Sequence, residues 1–392
     1  MECAVIVASL SLFAWIVLLL LRGRFWLVAP KLARPAAPGA SNFGLPGVVA
    51  VIPARNEADI LPTTLPTVVA QDYSGPFRVI VVDDRSEDAT GEAARAAVSP
   101  HAERLSVLSG EVLPDGWSGK VWALAQGVAA ACAGDAPPRY LWFTDADIEH
   151  DAWVLAGLVA RAEDETLDLV SVMATLQVDT RWDRLLVPAF VYFFAKLYPF
   201  RLVADARRRT AGAAGGCVLV RSDVLARAGG LASMRGAIID DCTLARRVKD
   251  AEGRLWLGYS RGVRSVRGYG SLASVWNMVA RSAYTQLGHS PWLLAGTILG
   301  MLFLYAVGPA ALAGGAVAAA LGVPGACSLA ALGGTTWAAM ALSFVPLLRH
   351  HGVTPFVAPL LPVAGVLYTA MTVSSALRHA RGRGGAWKGR TY

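Results

Sequence analysis

The sequence predicts an α/β domain with a largely parallel sheet, flanked by apolar helices at both ends of the chain. Three observations carry this. Apolar runs of strand length, Gly47–Pro53, Phe77–Asp83 and Tyr140–Asp145, alternate with helical segments, the pattern of strands covered on both faces. Ala4–Leu21, Pro291–Leu348 and Gly352–Leu377 carry no charge, and a helix needs only about 17–25 apolar residues to cross a bilayer. Of the 392 residues 55% are hydrophobic and 17% charged, against about 25% charged in an ordinary soluble domain. Mean hydropathy is +0.45.

These figures exclude a disordered or purely soluble chain. The net charge of +7 would suggest nucleic acid in a soluble protein. Here the basic residues bracket the apolar runs, which is membrane anchoring instead. The five cysteines, Cys3, Cys132, Cys217, Cys242 and Cys327, are scattered without a C-x-x-C pair, so neither a disulfide framework nor a zinc site is indicated.

Taken in order, residues 1–34 read as an uncleaved membrane anchor. Arg22, Arg24, Lys31 and Arg34 follow the apolar run and place its C-terminal side in the cytoplasm. Residues 35–46, rich in Pro, Ala and Gly, read as a linker. Residues 47–290 form the α/β domain. Its first strand is expected to lead into a helix over Glu57–Ala70 and its second into a helix from about Asp88.

Ligands of such sheets bind beyond the C-terminal strand ends, and all three ends carry chemistry. They are Pro53-Ala54-Arg55-Asn56-Glu57, Asp83-Asp84 and Asp145-Ala146-Asp147. No G-x-G-x-x-G follows the first strand and no G-x-x-x-x-G-K-[ST] is present, which argues against dinucleotide and P-loop sites. What remains is a nucleotide site built from carboxylates and a divalent ion. Asp145 and Asp147 suit Mg²⁺ or Mn²⁺, hard cations that prefer oxygen and bridge diphosphates. An acidic turn capping a helix would show the same residues. Asp83 or Asp84 is a candidate for the base or ribose hydroxyls, beside an N-cap role for Ser86 or Asp88. Lys120 opens a helix, where it would meet a diphosphate or stay solvated. Asp240-Asp241 is expected to precede a basic amphipathic helix, as its cap or as a general base whose neighbour raises its pKa.

Between residues 182 and 203, the apolar stretch Leu185–Ala195 is bounded by Arg184 and Lys196 and is too short to span. It is expected to lie as an interfacial helix, with a buried core helix as the other reading. Residues 291–377 form a C-terminal membrane region of two to four crossings or re-entrant segments, with a turn near Gly322–Gly325. Arg349-His350-His351 and the basic tail 378–392 both favour the cytoplasm, which leaves the number of crossings open.

Pro53-Ala54-Arg55-Asn56-Glu57, Val82-Asp83-Asp84-x-Ser86-x-Asp88-x-Thr90, Asp145-x-Asp147, Gly215-Gly216…Arg221…Gly229-Gly230 and Asp240-Asp241-x-x-Leu244 occur in that order. The series, over about residues 47–250, resembles the catalytic domain of glycosyltransferase family 2, whose GT-A fold is Rossmann-like. The layout of anchor, cytosolic domain and C-terminal membrane block is similar to ceramide glucosyltransferase. The hopene-associated glycosyltransferases of bacterial hopanoid pathways resemble it further in Trp122-Ala123-Leu124-Ala125-Gln126-Gly127, Leu197-Tyr198-Pro199-Phe200-Arg201, Asp240-Asp241-Cys242-Thr243-Leu244-Ala245 and Tyr284-Thr285-Gln286-Leu287.

The resemblance implies that Pro53, Arg55, Glu57 and Asp84 hold the nucleotide, with Asp83 and Lys120 beside them. Asp145 would sit near the donor, Asp147 would ligate the metal, and Asp241 would be the base with Asp240 its neighbour. It implies sugar transfer with inversion from a nucleotide sugar, UDP being the commoner carrier, to a hopanoid-like lipid at the bacterial cytoplasmic membrane. Gly215 and Gly216 fall to the acceptor or diphosphate. Many membrane-embedded relatives carry Q/R-x-x-R-W after the base. Arg281-Ser282-Ala283-Tyr284-Thr285 stands there instead, leaving Arg281 and Gln286 as candidates for that role. The other reading is a catalytically silent transferase-like scaffold, against which the intact Asp147 and Asp241 argue.

Overall fold

The computed structural model describes residues 1–35, 44–98, 101–134, 136–382, 386–387 and 390–391. Most of the expected linker, residues 36–43, lies outside the described residues, as do Arg383 and Lys388 of the tail. The chain divides into two units. One, here the catalytic unit, comprises residues 29–177 and 200–267 with the short strands Ala386–Trp387 and Arg390–Thr391; the other, helical, comprises 1–28, 178–199 and 268–382.

The catalytic unit is built on eight strands: β1 Val48–Ala54, β2 Phe77–Asp83, β3 Leu105–Ser109, β4 Tyr140–Phe143, β5 Ile148–His150, β6 Leu169–Thr175, β7 Val218–Arg221 and β8 Leu255–Ser265. Their order is β3-β2-β1-β4-β7-β6-β8-β5. β3, β2, β1 and β4 run parallel, as do β6 and β8, while β7 and β5 are antiparallel to their neighbours. The fold is thus the α/β, GT-A-like arrangement with a mostly parallel sheet.

Register explains the position of the site. Ala54 pairs with Asp83 and Val51 with Phe143, so β1, β2 and β4 finish at one edge. β7 begins there, Val218 opposite Phe143, which brings Gly215-Gly216 to the same edge from the opposite direction. The central strands have no exposed face: every residue of β1 and of β4 is buried, which is why these strands read as unbroken apolar runs.

The helix Gly119–Ala131 packs on β1 and β2 at Gly127, where a Cβ would lie 2.3 Å from Val51 Cγ1 and 3.1 Å from Val82 Cγ2. Both valines are fully buried and have nowhere to move. Gly127→Ala is expected to destabilise the unit by about 1–2 kcal/mol, overpacking outweighing the gain in helix propensity. A lowered thermal midpoint in an unfolding scan checks this, and an unchanged or raised one refutes it.

Two expected helices start late. Residues 57–60 form a turn, and the helix runs Leu61–Val69 because Pro62 suits its first turn. Asp88 likewise precedes its helix, Thr90–Ala96, and its carboxylate accepts from Thr90 N at 3.0 Å.

The helical unit contains Glu2–Leu21, Arg181–Leu197, Leu272–Gln286, Pro291–Tyr305, Val307–Ala320, Ala326–His350 and Leu361–Ala380. Among the described residues, Glu2–Leu21, Arg181–Ala204, Ala326–His350 and Pro355–Ala380 are long and apolar enough to cross a membrane. The pair Pro291–Tyr305 and Val307–Ala320, bent by 46°, would add a fifth. The run from Arg181 outgrows its apolar centre because Thr180 and Asp183 form a reciprocal capping box that makes Arg181–Arg184 helical. Close packing and polar contacts join these apolar helices. Gly333 allows the backbones of two helices to touch, since a Cβ would lie 2.3 Å from Leu312 N. Trp15 Nε1 donates to Leu304 O at 2.8 Å, and Tyr192 OH and Ser343 Oγ are 2.6 Å apart.

Candidate active site

The loops after β1 and β2 are clasped to one another. Arg55, 8% exposed, points Nη1 at the carbonyl oxygens of Asp84 (2.7 Å) and Arg85 (2.9 Å). The backbone N–H groups of Asn56, Glu57 and Ala58 donate to Ser86 Oγ, Thr90 Oγ1 and Asp88 Oδ2 at 3.0, 2.9 and 3.2 Å. Glu87 N returns a bond to Asn56 Oδ1 at 2.8 Å. Asn56 and Arg85 adopt left-handed backbone, φ 52° and 55°, which turns each chain sharply at its strand end. The serine, aspartate and threonine of the second loop therefore serve the first loop's backbone. Asp83 holds Ser86 N at 3.0 Å, and Asp84 is fully buried.

At the next strand end the carboxylates gather. Lys120 Nζ lies 2.8 Å from Asp145 Oδ1 and 3.1 Å from Asp240 Oδ2. Burial alone would push this lysine down, but Asp145 and Asp240, with Asp241 behind them, hold its ammonium above the ordinary range. Asp240 and Asp241 open the helix Asp240–Asp250 instead of preceding it. Asp241 Oδ2 accepts from Gly215 N at 2.8 Å and Oδ1 from Cys242 N at 2.7 Å. Burial and the neighbouring Asp240 raise the Asp241 carboxyl to about 6, with Lys120 and the two N–H groups opposing. A side chain on Gly215 would crowd Lys120 Nζ at 3.2 Å and Asp241 Oδ2 at 3.4 Å. These groups line a small pocket together with Pro53, Phe143 and Met234.

Asp147 lies two residues further on, in the same turn. Ser265 Oγ donates to its Oδ2 at 3.2 Å, and Arg267 Nε stands 3.9 Å from the same oxygen. Burial and Asp145 push its carboxyl up, against Arg267 and Ser265. Arg267 also pairs with Glu57, so one guanidinium joins the first strand's loop to the D-x-D turn. Sequence reading gave Arg267 no role; its only signal is a basic residue just past the end of a long strand. Thr144 and His150 were missed as well. Thr144 Oγ1 lies 2.8 Å from His150 Nε2 and donates to Gly216 O at 2.9 Å, tying the D-x-D strand to the glycine pair. Burial, then Arg264, lowers His150 to about 3, so its ring is neutral.

The catalytic unit therefore brings together Lys120, Asp145, Gly215, Asp240 and Asp241, with Glu57 and Asp147 joined by Arg267. Arg281 and Gln286 belong instead to the helix Leu272–Gln286 of the helical unit, where Gln286 Oε1 accepts from Tyr198 OH at 2.9 Å.

No group of three His, Cys, Asp or Glu side chains able to enclose a metal occurs among the described residues. Asp147 is one carboxylate beside other oxygens. That donor set fits a hard cation held by one or two carboxylates and completed by substrate phosphates, not a cage made by protein alone.

The glycosyl transferase family 2 model matches residues 49–229. No curated protein matches the sequence significantly. Among solved structures, a mannosyltransferase from Pyrobaculum calidifontis, in complex with GDP-Man and Mn²⁺, is similar at 21% identity and TM-score 0.55, covering 97% of this chain and 98% of that one. Glucosyl-3-phosphoglycerate synthase from Mycobacterium tuberculosis is similar at 17% identity and TM-score 0.41, over 66% of this chain and 86% of that one. For mannosyl-3-phosphoglycerate synthase from Rubrobacter xylanophilus the figures are 18%, 0.37, 62% and 76%. The first of these likenesses extends the shared fold beyond the matched segment to nearly the whole chain. The family match lies over the strand ends that gather the carboxylates, so residues 49–229 are similar to a glycosyl transferase family 2 domain.

Proposed function

We propose that the protein is a membrane-bound, metal-dependent, inverting transferase that moves a sugar from a nucleoside diphosphate carrier to a lipid hydroxyl. The observation that carries this is the meeting of Lys120, Asp145, Asp240 and Asp241 at one sheet edge, with Asp147 beside them. The apolar helices support a lipid acceptor at the bacterial cytoplasmic membrane, and the hopene-associated resemblance supports a hopanoid-like one. In this reading Pro53, Arg55, Glu57, Asp83 and Asp84 form the nucleotide side, with Arg55 acting through the loop carbonyls it holds. Asp145 and Lys120 face the sugar diphosphate, Gly215 and Gly216 leave room for it, and Arg281 and Gln286 serve acceptor or diphosphate.

Asp241 takes the proton of the acceptor hydroxyl. The acceptor oxygen forms its bond to the anomeric carbon as the bond from that carbon to the diphosphate breaks, and the nucleoside diphosphate leaves from the opposite face. The N–H groups of Gly215 and Cys242 aim the carboxylate, which supplies the near-attack geometry such a displacement needs. Asp147 would hold Mg²⁺ or Mn²⁺, which neutralises charge on the departing diphosphate when bound.

The test is release of nucleoside diphosphate by full-length protein in detergent with Mn²⁺ or Mg²⁺. UDP- and GDP-sugars are screened with and without a hopanoid acceptor. Lipid-dependent release from one donor is the expected result. Tight nucleotide binding without release from any pair would point to the scaffold reading. Lys120 gives a second check. Lys120→Met removes the cation that opposes the rise of the Asp241 carboxyl, so the acid limb of the pH–rate profile is expected to move upward by roughly one pH unit. Lys120→Arg is expected to restore most of it. A profile that stays in place in Lys120→Met would show that Lys120 does not influence the base.

A further inference from the structure

Arg267 is held by two carboxylates that the proposed chemistry uses differently. Its guanidinium pairs with Glu57 while Nε approaches Asp147 Oδ2, which Ser265 Oγ also engages. The arginine side chain is 44% exposed, whereas Glu57 and Asp147 are 10% and 26% exposed. The two acids are thus the more enclosed partners and the arginine the more exposed one. It is also the last residue of the catalytic unit before the chain passes to Gly268.

We infer that Arg267 is a resident cation on Asp147 that must give up this carboxylate before a divalent ion can take it, so that Arg267 sets the metal concentration at which the site fills. The inference rests on the metal reading of Asp147 proposed above. A guanidinium within 4 Å of the carboxylate oxygen competes with the ion in two ways: it occupies the approach to that oxygen, and it repels a second positive charge. Glu57 offers the displaced guanidinium a partner. Glu57 therefore favours metal binding without touching the metal. An arginine that merely braced Asp147 would act in the opposite sense, because its removal would loosen the ligand.

The experiment is a Mn²⁺ titration of full-length, detergent-solubilised protein, with and without UDP to supply the phosphate oxygens, reading free Mn²⁺ by electron paramagnetic resonance against a protein-free blank. Arg267→Gln is expected to lower the Kd for Mn²⁺ by roughly 5–20-fold, as expected for removing a partly screened like charge at this distance. Arg267→Lys keeps the charge and is expected to stay within about twofold of the unaltered protein. Glu57→Gln is expected to weaken Mn²⁺ binding when Arg267 is present and to have no effect in the double variant with Arg267→Gln. This keeps the question answerable if one variant folds poorly. Unchanged or weaker binding in Arg267→Gln, with Asp147→Asn still abolishing binding, overturns the inference and leaves the metal reading intact. Mn²⁺ binding that survives Asp147→Asn overturns the metal reading itself, and the inference with it.

Discussion

Asp241→Asn is expected to lower kcat by about 10²–10⁴-fold, the range general-base catalysis contributes, while leaving nucleotide binding within a few-fold. The amide keeps the shape of the carboxylate, but its single oxygen can accept from only one of Gly215 N and Cys242 N, so a modest loosening of the helix start or glycine loop accompanies the substitution. What it loses is the capacity to take a proton. The native carboxyl, raised to about 6 by burial and Asp240, predicts the pH dependence as well. A base acts only when ionised, so kcat/KM should be level above that value and fall about tenfold per pH unit below it. The limb should vanish in the residual activity of Asp241→Asn. Stopped assays across pH 4.5 to 8 with saturating metal measure both. A variant with more than a tenth of native kcat would remove Asp241 from the role of base. The same carboxyl on a solvated surface would titrate nearer its ordinary value and carry far less proton affinity into the transfer step. The pocket around Asp241, lined by Leu244, Met234 and Phe143, is what makes the difference.

How far the site could be read in advance follows from sequence separation. The strand ends were legible because each carries its own signal: an apolar run stops and a carboxylate follows. Asp83, Asp145 and Asp147 all lie within two positions of where the strand patterns stop. Asp240-Asp241 was legible as a pair but was taken to precede its helix, because a helix start and a loop end share the same acidic residues. Lys120 was expected to meet a diphosphate or stay solvated, and its pairing with Asp145 and Asp240 carries no local mark. Only a register that aligns β4 with β1 shows that those acids come within its reach. Arg267 was not legible at all. It pairs with Glu57 across 210 residues, and neither position carries a local mark of the other. Thr144 and His150 are close in sequence, but a short buried strand hides a polar pair among apolar neighbours. The late helix starts at Leu61 and Thr90 have a local cause that propensity does not capture: the loop side chains and backbone amides are already committed to one another.

Asp147→Asn is the other substitution with a large expected effect. It should lower transfer by about 10²–10³-fold at low millimolar Mn²⁺, which corresponds to several kcal/mol of lost charge stabilisation at the leaving diphosphate. Asparagine retains an oxygen for Ser265 and fills the same volume beside Arg267, so stability should change little. The loss should sit in metal affinity, and raising Mn²⁺ should recover part of the rate. Asp145→Asn provides the contrast. Asp145 is bound to Lys120, which also holds Asp240. Neutralising it frees the ammonium to settle wholly on Asp240 and Asp241. That should depress the base and misplace the cation, and added Mn²⁺ does not mend either fault. Two carboxylates two positions apart on one turn are therefore expected to fail differently, one rescued by metal and one not. Equal rescue of both would mean that they share the ion. Rescue of neither, with donor still bound, would mean that the charge on the diphosphate is met by Lys120 and Arg267 and not by a divalent cation.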